Sequence, residues 1–184
     1  MNEFWRQRRV FLTGHTGFKG AWLALWLREM GASVTGYALA PHTSPNLFTL
    51  LGPQVRSIIG DVRDSKALSA AMREADPQIV IHMAAQALVR ESYRDPLATY
   101  ATNVIGTGNL LQGCRTLKNL ECVIIVTSDK VYENHGAGRP FIEDDRLGEV
   151  VADGRYLDAT REVLRDRGGL WFFDESYVIS RRRA

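Results

Sequence analysis

Cysteine is scarce in this chain, which holds two in 184 residues. Cys114 falls on a predicted helix and Cys122 at the start of a predicted strand, and the pair matches neither a CxxC motif nor a Cys/His ligand spacing. We therefore predict that both are buried free thiols. Metal-ligand spacing is also missing among the four histidines, which are His15, His42, His82 and His135. The sequence thus gives no sign of a metal centre.

The chain also has no large excess of charge of either sign, since the formal net charge is +2. Such a chain has no strong field for nucleic acid or an anionic membrane, so we predict neither as a partner. No apolar run approaches the roughly 18 residues of a membrane span, and the N-terminal residues 1–9 lack the apolar core of a signal peptide. With 45% apolar and 24% charged residues, the composition is typical of a globular protein, and we expect a cytoplasmic one.

Three glycines are regularly spaced in one short stretch, where Gly14, Gly17 and Gly20 stand three residues apart. An apolar run at residues 10–12 precedes them, and apolar residues follow at helical spacing, at Trp22, Leu23, Trp26, Leu27 and Met30. This pattern predicts a strand, a tight turn and an amphipathic helix. The amide groups and positive dipole end that open such a helix suit a pyrophosphate. An ordinary turn with a small helix-packing residue is the alternative.

Strands and helices alternate along the rest of the chain. Residues 32–39 and 55–59 and the more apolar stretches 79–86 and 122–126 predict four further strands. Residues 65–74 predict a helix capped by Asp64, and residues 95–117 predict a long helix with buried positions at Tyr100, Val104, Leu110 and Leu111. The alternation predicts an α/β fold, a Rossmann-like doubly wound parallel sheet with right-handed crossovers. Its ligand crevice would lie at the carboxyl ends of the strands.

Small and polar residues gather at those predicted strand ends. Asp61 follows the third strand, residues 84–86 follow the fourth and residues 127–130 follow the fifth. As plain structure, Asp61 would be a turn or capping residue, and Ala84 and Ala85 small core residues. Asn103 in mid-helix predicts a specific hydrogen bond, or else a solvent-facing side chain. Residues 37–42, after the second strand, offer neither the acidic residue typical of NAD sites nor the arginine typical of NADP sites, so the choice stays open.

The motifs G-H-T-G-F-K-G, G-D-V-R-D, H-M-A-A-Q-A-L-V-R-E-S-Y, Y-A-T-N-V-I-G-T and T-S-D-K-V-Y-E-N together resemble the extended short-chain dehydrogenase/reductases, and closely the CDP-glucose 4,6-dehydratase family, over residues 7 to 148. This resemblance implies NAD as cofactor, CDP-glucose as substrate and a homodimer as a possible assembly. Hydride would leave C4 of the sugar, water would leave C5 and C6, and the hydride would return to C6. The product would be CDP-4-keto-6-deoxyglucose, a deoxysugar precursor of lipopolysaccharide O-antigen.

The resemblance also implies residue roles. Ser128 would hydrogen-bond the C4 hydroxyl, Asp129 would protonate the departing C6 hydroxyl, and Lys130 would remove the C5 proton. A lysine can act in this way only with a lowered pKa. As plain structure, the triplet would be a polar turn. Cofactor contacts are implied for Gly14, Thr16, Gly17, Phe18, Lys19, Gly20, Asp61, Val62, Ala84, Ala85, Gln86, Asn103 and Thr127.

One family feature is missing after the fifth strand. The family carries a Tyr-x-x-x-Lys pair, in which Tyr takes the C4 hydroxyl proton, but the lysines of this chain are at 19, 66, 118 and 130 only. Tyr156 is followed four residues later by Thr160, and Tyr177 by Arg181, which is not a conservative substitute for lysine. A non-catalytic NAD-binding fragment is therefore the alternative to a working enzyme.

Residues 149–184 resemble nothing in the family. We expect a dinucleotide-binding domain at 1–148, a divergent tail at 149–184 and no substrate domain, and we hypothesise that a frameshift or early stop replaced the rest. Reading the coding DNA one frame over past residue 148 should then reveal D-P-Y-S-x-S-K. The sixth strand would also be missing, leaving the fifth strand with an exposed edge.

Overall fold

The computed structural model describes residues 3–52, 55–127, 132, 139, 140, 142, 145, 170–173 and 178–180. Its centre is a seven-stranded sheet in the order β3-β2-β1-β4-β5-β6-β7. The first six strands in that order run parallel to their neighbours, and β7 is antiparallel to β6. The strands are β1 (Arg9–Thr13), β2 (Ser33–Ala38), β3 (Arg56–Ile59), β4 (Ile79–His82), β5 (Cys122–Val126), β6 (Leu170–Phe173) and β7 (Val178–Ser180).

Helices connect most of these strands. They are α1 (Phe18–Glu29), α2 (Leu47–Leu51), α3 (Ser65–Ala75), α4 (Val89–Arg94), α5 (Pro96–Tyr100) and α6 (Gly106–Cys114), with a π-helical turn at Ala101–Ile105 between the last two. The predicted cap of α3 is confirmed, because the Asp64 carboxylate accepts from the backbone N–H groups of Lys66 and Ala67 at 3.1 and 3.0 Å. A short 3₁₀ turn, Glu3–Trp5, precedes β1.

Alternate residues of each strand face opposite sides of the sheet, and each side has its own core. Val10 and Leu12 of β1 pack with Ala24 and Leu27 of α1 on one side. Phe11 of β1 belongs to the other side, which is built on α3 and α6 with Leu68, Met72, Leu110 and Leu111. The doubly wound parallel sheet is therefore confirmed.

The predicted apolar face of α1 is partly wrong. Trp22 and Trp26 are 49% and 65% exposed, while the buried residues of the helix are Gly20, Ala21, Ala24 and Leu27. Small residues occupy the buried face because α1 starts in close contact with the turn after β1. A Cβ at Gly20 would lie 2.1 Å from the Gly14 carbonyl oxygen, so this end of the helix has no room for large side chains on that face.

The long helix predicted at 95–117 is observed as three joined segments, α5, the π turn and α6. Leu110 and Leu111 are buried as predicted, whereas Tyr100 and Val104 are 66% and 38% exposed, so their predicted burial is wrong. A π turn closes its hydrogen bonds over five residues rather than four. The interruption shifts the helical phase, so the buried face read from α6 does not extend back to Tyr100.

The edge beyond β5 also differs from expectation. β6 pairs with β5 in parallel, with Val123 opposite Leu170 and Val126 opposite Phe173, so the predicted exposed edge of β5 is wrong. Backbone hydrogen bonds form the ladder, so a tail without family sequence can still supply a strand from its apolar run.

The two cysteines are free, as predicted. Cys114 is fully buried and Cys122 is half-buried. Burial raises the pKa of the Cys114 thiol to about 12 and that of Cys122 to about 11, so neither is a reactive thiolate at neutral pH.

Candidate functional site

A groove of about 490 Å³ opens at the carboxyl ends of β1 to β4, where the crevice was predicted. Loops that follow these four strands form its walls, and the start of α1 forms one end. Its lining residues are Gly14, Thr16, Gly17, Phe18, residues 38–43, residues 45–47, residues 60–63, residues 83–85 and Thr102.

The turn after β1 brings three parts of the groove together. Gly14 has a φ of +75°, and its N–H donates to the Tyr37 carbonyl of β2 at 2.9 Å. A Cβ at Gly14 would lie 2.9 Å from backbone atoms of Met83 and Ala84. Only glycine suits both this backbone conformation and this close approach.

The N-terminus of α1 faces the groove through Thr16, Gly17 and Phe18. Gly17 is the N-cap, and no side chain caps the helix. The Thr16 hydroxyl donates to the Leu39 carbonyl at 2.8 Å, which ties the turn to the loop after β2. The backbone amides and the positive dipole end of α1 make this end of the groove suitable for an anion. The other two predicted residues of the turn, Lys19 and Gly20, do not line the groove.

Asp61 and Val62 line the groove after β3. The Arg63 side chain donates to Asp61 through Nε, at 2.8 and 3.0 Å from the two carboxylate oxygens, and the Arg63 backbone N–H donates at 2.9 Å. These bonds from Arg63 hold the pKa of Asp61 below its usual range. The Asn109 amide supports the loop by donating to the carbonyls of Val62 and Arg63. Asp61 is therefore an ionised hydrogen-bond acceptor at the groove.

The wall after β2 holds no acidic residue. Tyr37 is 1% exposed, stacks on Phe11 with ring centroids 6.0 Å apart, and donates from its hydroxyl to the Asp61 carbonyl at 3.2 Å. Residues 38–43 then line the groove. Within the described lining, the Asp and Arg side chains are Asp61 and Arg63, and they pair with each other.

His15, part of the glycine motif, points away from the groove. Its ring is fully buried against Gly36 and lies edge-on to Phe48 at 5.1 Å. Nε2 lies 2.7 Å from the Ser57 hydroxyl oxygen. Burial lowers the pKa of His15 to about 4, and a backbone contact with Tyr37 offsets part of that shift. His15 therefore joins the turn to β2, β3 and α2 as a neutral side chain.

The wall after β4 is the loop of residues 83–86. Ala84 and Ala85 line the groove as predicted, together with Met83, but Gln86 and Asn103 do not. The Asn103 amide instead donates to the Gln86 carbonyl at 3.0 Å and accepts from the Gln86 N–H at 2.8 Å. The predicted specific hydrogen bond of Asn103 is confirmed, and its partner is the backbone of the wall.

The predicted catalytic residues Ser128, Asp129 and Lys130 lie outside the described residues, as do Tyr156, Thr160, Tyr177 and Arg181. Thr127 is described, and its hydroxyl is buried without a hydrogen-bond partner in the part of the chain that the structure describes. It does not line the groove. The roles assigned to residues 127–130 stay predictions.

Sequence reasoning placed residues 37–42 beside the crevice without assigning them a contact, and it missed Thr43, residues 45–47, Met83 and Thr102. The prolines at 41 and 45 are typical of a loop, and the position of that loop after β2 is the one sequence signal that it borders the crevice. Among the described residues, no three His, Cys, Asp or Glu side chains come together as a metal site. Nor does any helix in the described ranges have the length and apolarity to cross a bilayer.

Comparison with protein families identifies one domain model, described as GDP-mannose 4,6 dehydratase, which matches residues 11–148. The CDP-glucose 4,6-dehydratase of Salmonella typhimurium (strain LT2) is 50% identical over 148 residues, which are 79% of this chain and 41% of that protein. UDP-glucuronate 4-epimerase 1 of Arabidopsis thaliana is 32% identical over 149 residues, 78% of this chain and 34% of that protein. The chain thus spans about two fifths of the length of such relatives.

Solved structures have the same fold. The UDP-glucose 4-epimerase of Thermus thermophilus in complex with NAD is 25% identical with a TM-score of 0.72, covering 90% of this chain and 53% of that one. The UDP-glucose 4-epimerase of Brucella ovis in complex with NAD is 29% identical with a TM-score of 0.67, covering 86% and 47%.

Proposed function

The chain belongs to the GDP-mannose 4,6-dehydratase family, and from that membership we propose that its groove binds NAD for the 4,6-dehydration of a nucleotide sugar. The observation that carries this proposal is that four features border one and the same groove. They are the turn after β1, the start of α1 without a side-chain cap, Asp61 and the 83–86 loop. The NAD held by the two similar structures supports the same reading.

The described residues fit a dinucleotide in three respects. The groove volume of about 490 Å³ lies in the range of ligand sites. Gly14 and Gly17 leave backbone exposed at the helix start, where a Cβ on Gly14 would meet the opposite wall. The pyrophosphate would lie on the amides that open α1, near Thr16, Phe18, Lys19 and Gly20.

Asp61 and Val62 would hold the adenine, with the Asp61 carboxylate accepting from its amino group. Ala84 and Ala85 would let the backbone approach the flat cofactor, while Gln86, Asn103 and Thr127 would complete that wall. The groove favours NAD over NADP, because the Arg63 guanidinium within it is already paired with Asp61 and is not offered to a 2′-phosphate.

CDP-glucose is the proposed substrate, and the 50% identity to the Salmonella typhimurium enzyme supports it. Bound NAD supplies a hydride acceptor that returns the hydride. Ser128 would orient the C4 hydroxyl, Asp129 would donate a proton to the C6 hydroxyl, and Lys130 would take the C5 proton. The C4 hydroxyl proton, which the Tyr of the Tyr-x-x-x-Lys pair takes in the family, has no acceptor assigned among residues 131–184. The product would be CDP-4-keto-6-deoxyglucose for deoxysugars such as those of O-antigen. We also propose a homodimer in the cytoplasm, with dinucleotide binding assigned to residues 1–148.

Cofactor binding is tested by titrating the purified chain with NAD and with NADP in a calorimeter. We expect NAD to bind more tightly, and Asp61→Asn to weaken NAD binding, because the variant lacks the ionised acceptor. Arg73→Gln, an α3 variant away from the groove, is the control. Equal affinity for both cofactors, or no binding of either, would contradict the proposed site.

Turnover is tested by incubating the same protein with CDP-glucose and NAD and measuring the 4-keto product. Product formation that is lost in Asp129→Ala supports the dehydratase. NAD binding without product supports the alternative, a non-catalytic NAD-binding fragment. That alternative rests on one feature, the absence of a Tyr-x-x-x-Lys pair between Lys130 and Ala184.

A further inference from the structure

His82 is a buried imidazole directly beneath the 83–86 wall. It ends β4, lies opposite Thr13 of β1 in the sheet register, and is 2% exposed. Nδ1 lies 2.7 Å from the Thr13 hydroxyl oxygen, and Nε2 lies 3.0 Å from the Thr107 hydroxyl oxygen. Neither the groove lining nor the proposed chemistry uses this side chain.

The hydrogen bonds of the two threonines determine where the His82 proton lies. The Thr13 oxygen accepts from the N–H groups of Met83 and Ala84, both at 3.1 Å, so both of its lone pairs are used and its own hydrogen points to Nδ1 of His82. The Thr107 hydroxyl donates to the Asn103 carbonyl at 2.7 Å, so it must accept from Nε2. His82 is therefore neutral, with its proton on Nε2, and every partner is satisfied.

The same network holds the wall at both ends. Thr13 binds the amides of Met83 and Ala84 at its start. At its end, the Asn103 side chain pairs with both backbone groups of Gln86, and Thr107 binds the Asn103 carbonyl. His82 bridges Thr13 and Thr107, so it connects the two anchors across the base of the wall.

Building on the proposed NAD site, we propose that His82 is a positioning residue: its Nε2–H form holds the 83–86 wall at the distance from Gly14 that the dinucleotide needs. An apolar residue of similar size would fill the space, but it would leave the Thr13 and Thr107 hydroxyls without their buried partner. Thr13 would then turn its hydrogen elsewhere and weaken its hold on Met83 and Ala84.

Three substitutions of His82 test the anchor at Thr13 and the anchor at Thr107 separately. His82→Asn keeps an acceptor near the Nδ1 position, His82→Gln keeps a donor near the Nε2 position, and His82→Phe keeps neither. Met72→Ala, which empties a fully buried site between α3 and α6, is the matched control for lost stability. Amide hydrogen exchange without NAD should speed up at Met83 and Ala84 in His82→Gln, at Gln86 in His82→Asn, and at both ends in His82→Phe.

NAD titration gives the functional readout. We expect His82→Phe to raise the Kd for NAD about tenfold or more, the loss of one hydrogen bond corresponding to about that factor, and the two polar variants to raise it less. Met72→Ala should leave Kd unchanged at temperatures where it is folded. Two-bond ¹H–¹⁵N spectra of the parent should show the His82 proton on Nε2.

A proton on Nδ1, unchanged exchange at the wall in His82→Phe, or equal weakening of NAD binding by Met72→Ala would each overturn the proposal. If the parent binds no NAD, the proposed function fails, and the exchange rates and the spectra still decide whether His82 holds the wall.

Discussion

At the scale of single residues, close backbone contacts shape the groove. Gly20 places the first turn of α1 against the Gly14 carbonyl, and Gly14 in turn touches the wall after β4. A single added methyl group at either position would have to displace backbone, which has no alternative rotamer to adopt. The shape of the anion-binding end of the groove therefore depends on the absence of a side chain at Gly14 and at Gly20.

We expect Gly20→Ala to lower the free energy of unfolding by about 1–3 kcal/mol and to weaken NAD binding, because its Cβ would overlap the Gly14 carbonyl oxygen. Gly108→Ala is the matched control in α6, where an added Cβ meets nothing within 4 Å. This second variant should gain about 0.5–1 kcal/mol from helix propensity. Urea unfolding measures both, and a Gly20→Ala variant as stable as the parent would contradict the close approach.

The two buried histidines make stability depend on pH. Burial holds the pKa of His15 and of His82 at about 4, against 6.5 for the exposed side chain. Between these values the unfolded chain binds more protons than the folded chain, so the free energy of unfolding falls as the pH falls. The slope approaches about 1.4 kcal/mol per pH unit for each histidine.

Urea unfolding between pH 7 and pH 4.5 checks this expectation. The parent should lose stability steadily below about pH 6.5, and His82→Gln should show roughly half the slope, because one of the two buried imidazoles is gone. An identical slope in the variant would show that His82 takes up its proton at the same pH in the folded and the unfolded chain, which contradicts the lowered pKa.

At the scale of elements, α1 shows how close packing decides which face of a helix is buried. Apolar spacing alone favoured a face with Trp22 and Trp26, yet the buried residues of the helix are Gly20, Ala21, Ala24 and Leu27. The large indoles are left towards solvent because the glycine turn holds the helix too close to the sheet for them. The π turn before α6 also leaves predicted core residues exposed, because it shifts the helical phase and so takes Tyr100 and Val104 out of the buried face.

Neighbouring substitutions in α1 test this arrangement. Leu27→Ala should cost about 2–5 kcal/mol of unfolding free energy, because Leu27 is 1% exposed. Trp26→Ala should change it by no more than about 0.5 kcal/mol, because Trp26 is 65% exposed. Thermal and urea unfolding would measure the free energy of unfolding of both variants. A larger loss of stability for Trp26→Ala than for Leu27→Ala would show that the buried face is the one predicted from apolar spacing.

At the scale of the whole molecule, the sheet continues past the part that the family model matches. The model covers residues 11–148, whereas β6 and β7 come from residues 170–180. β6 pairs with β5 on one side and with β7 on the other, which satisfies the backbone of a strand that would otherwise be an open edge.

Phe172→Pro tests whether this pairing stabilises the molecule. Phe172 lies opposite Ile125 of β5 and Ile179 of β7, and proline removes its N–H from the ladder. We expect a loss of about 1–3 kcal/mol and faster amide exchange along β5. Phe172→Val keeps the N–H and should leave β5 protected. Unchanged exchange of β5 in the proline variant would show that β6 does not cover it.

Local sequence patterns were enough to predict the alternation of strands and helices and the Asp64 cap. They also predicted eight residues that line the groove, which are Gly14, Thr16, Gly17, Phe18, Asp61, Val62, Ala84 and Ala85. These features depend on local periodicity and on the rule that parallel strands present their carboxyl ends at one edge. Tertiary packing was needed to show which face of α1 is buried and that β6 covers β5. It also showed that Asn103 binds the wall rather than facing solvent, and that His82 bridges Thr13 and Thr107 beneath the wall. Those outcomes depend on distances between residues far apart in the chain, and no local pattern encodes such distances.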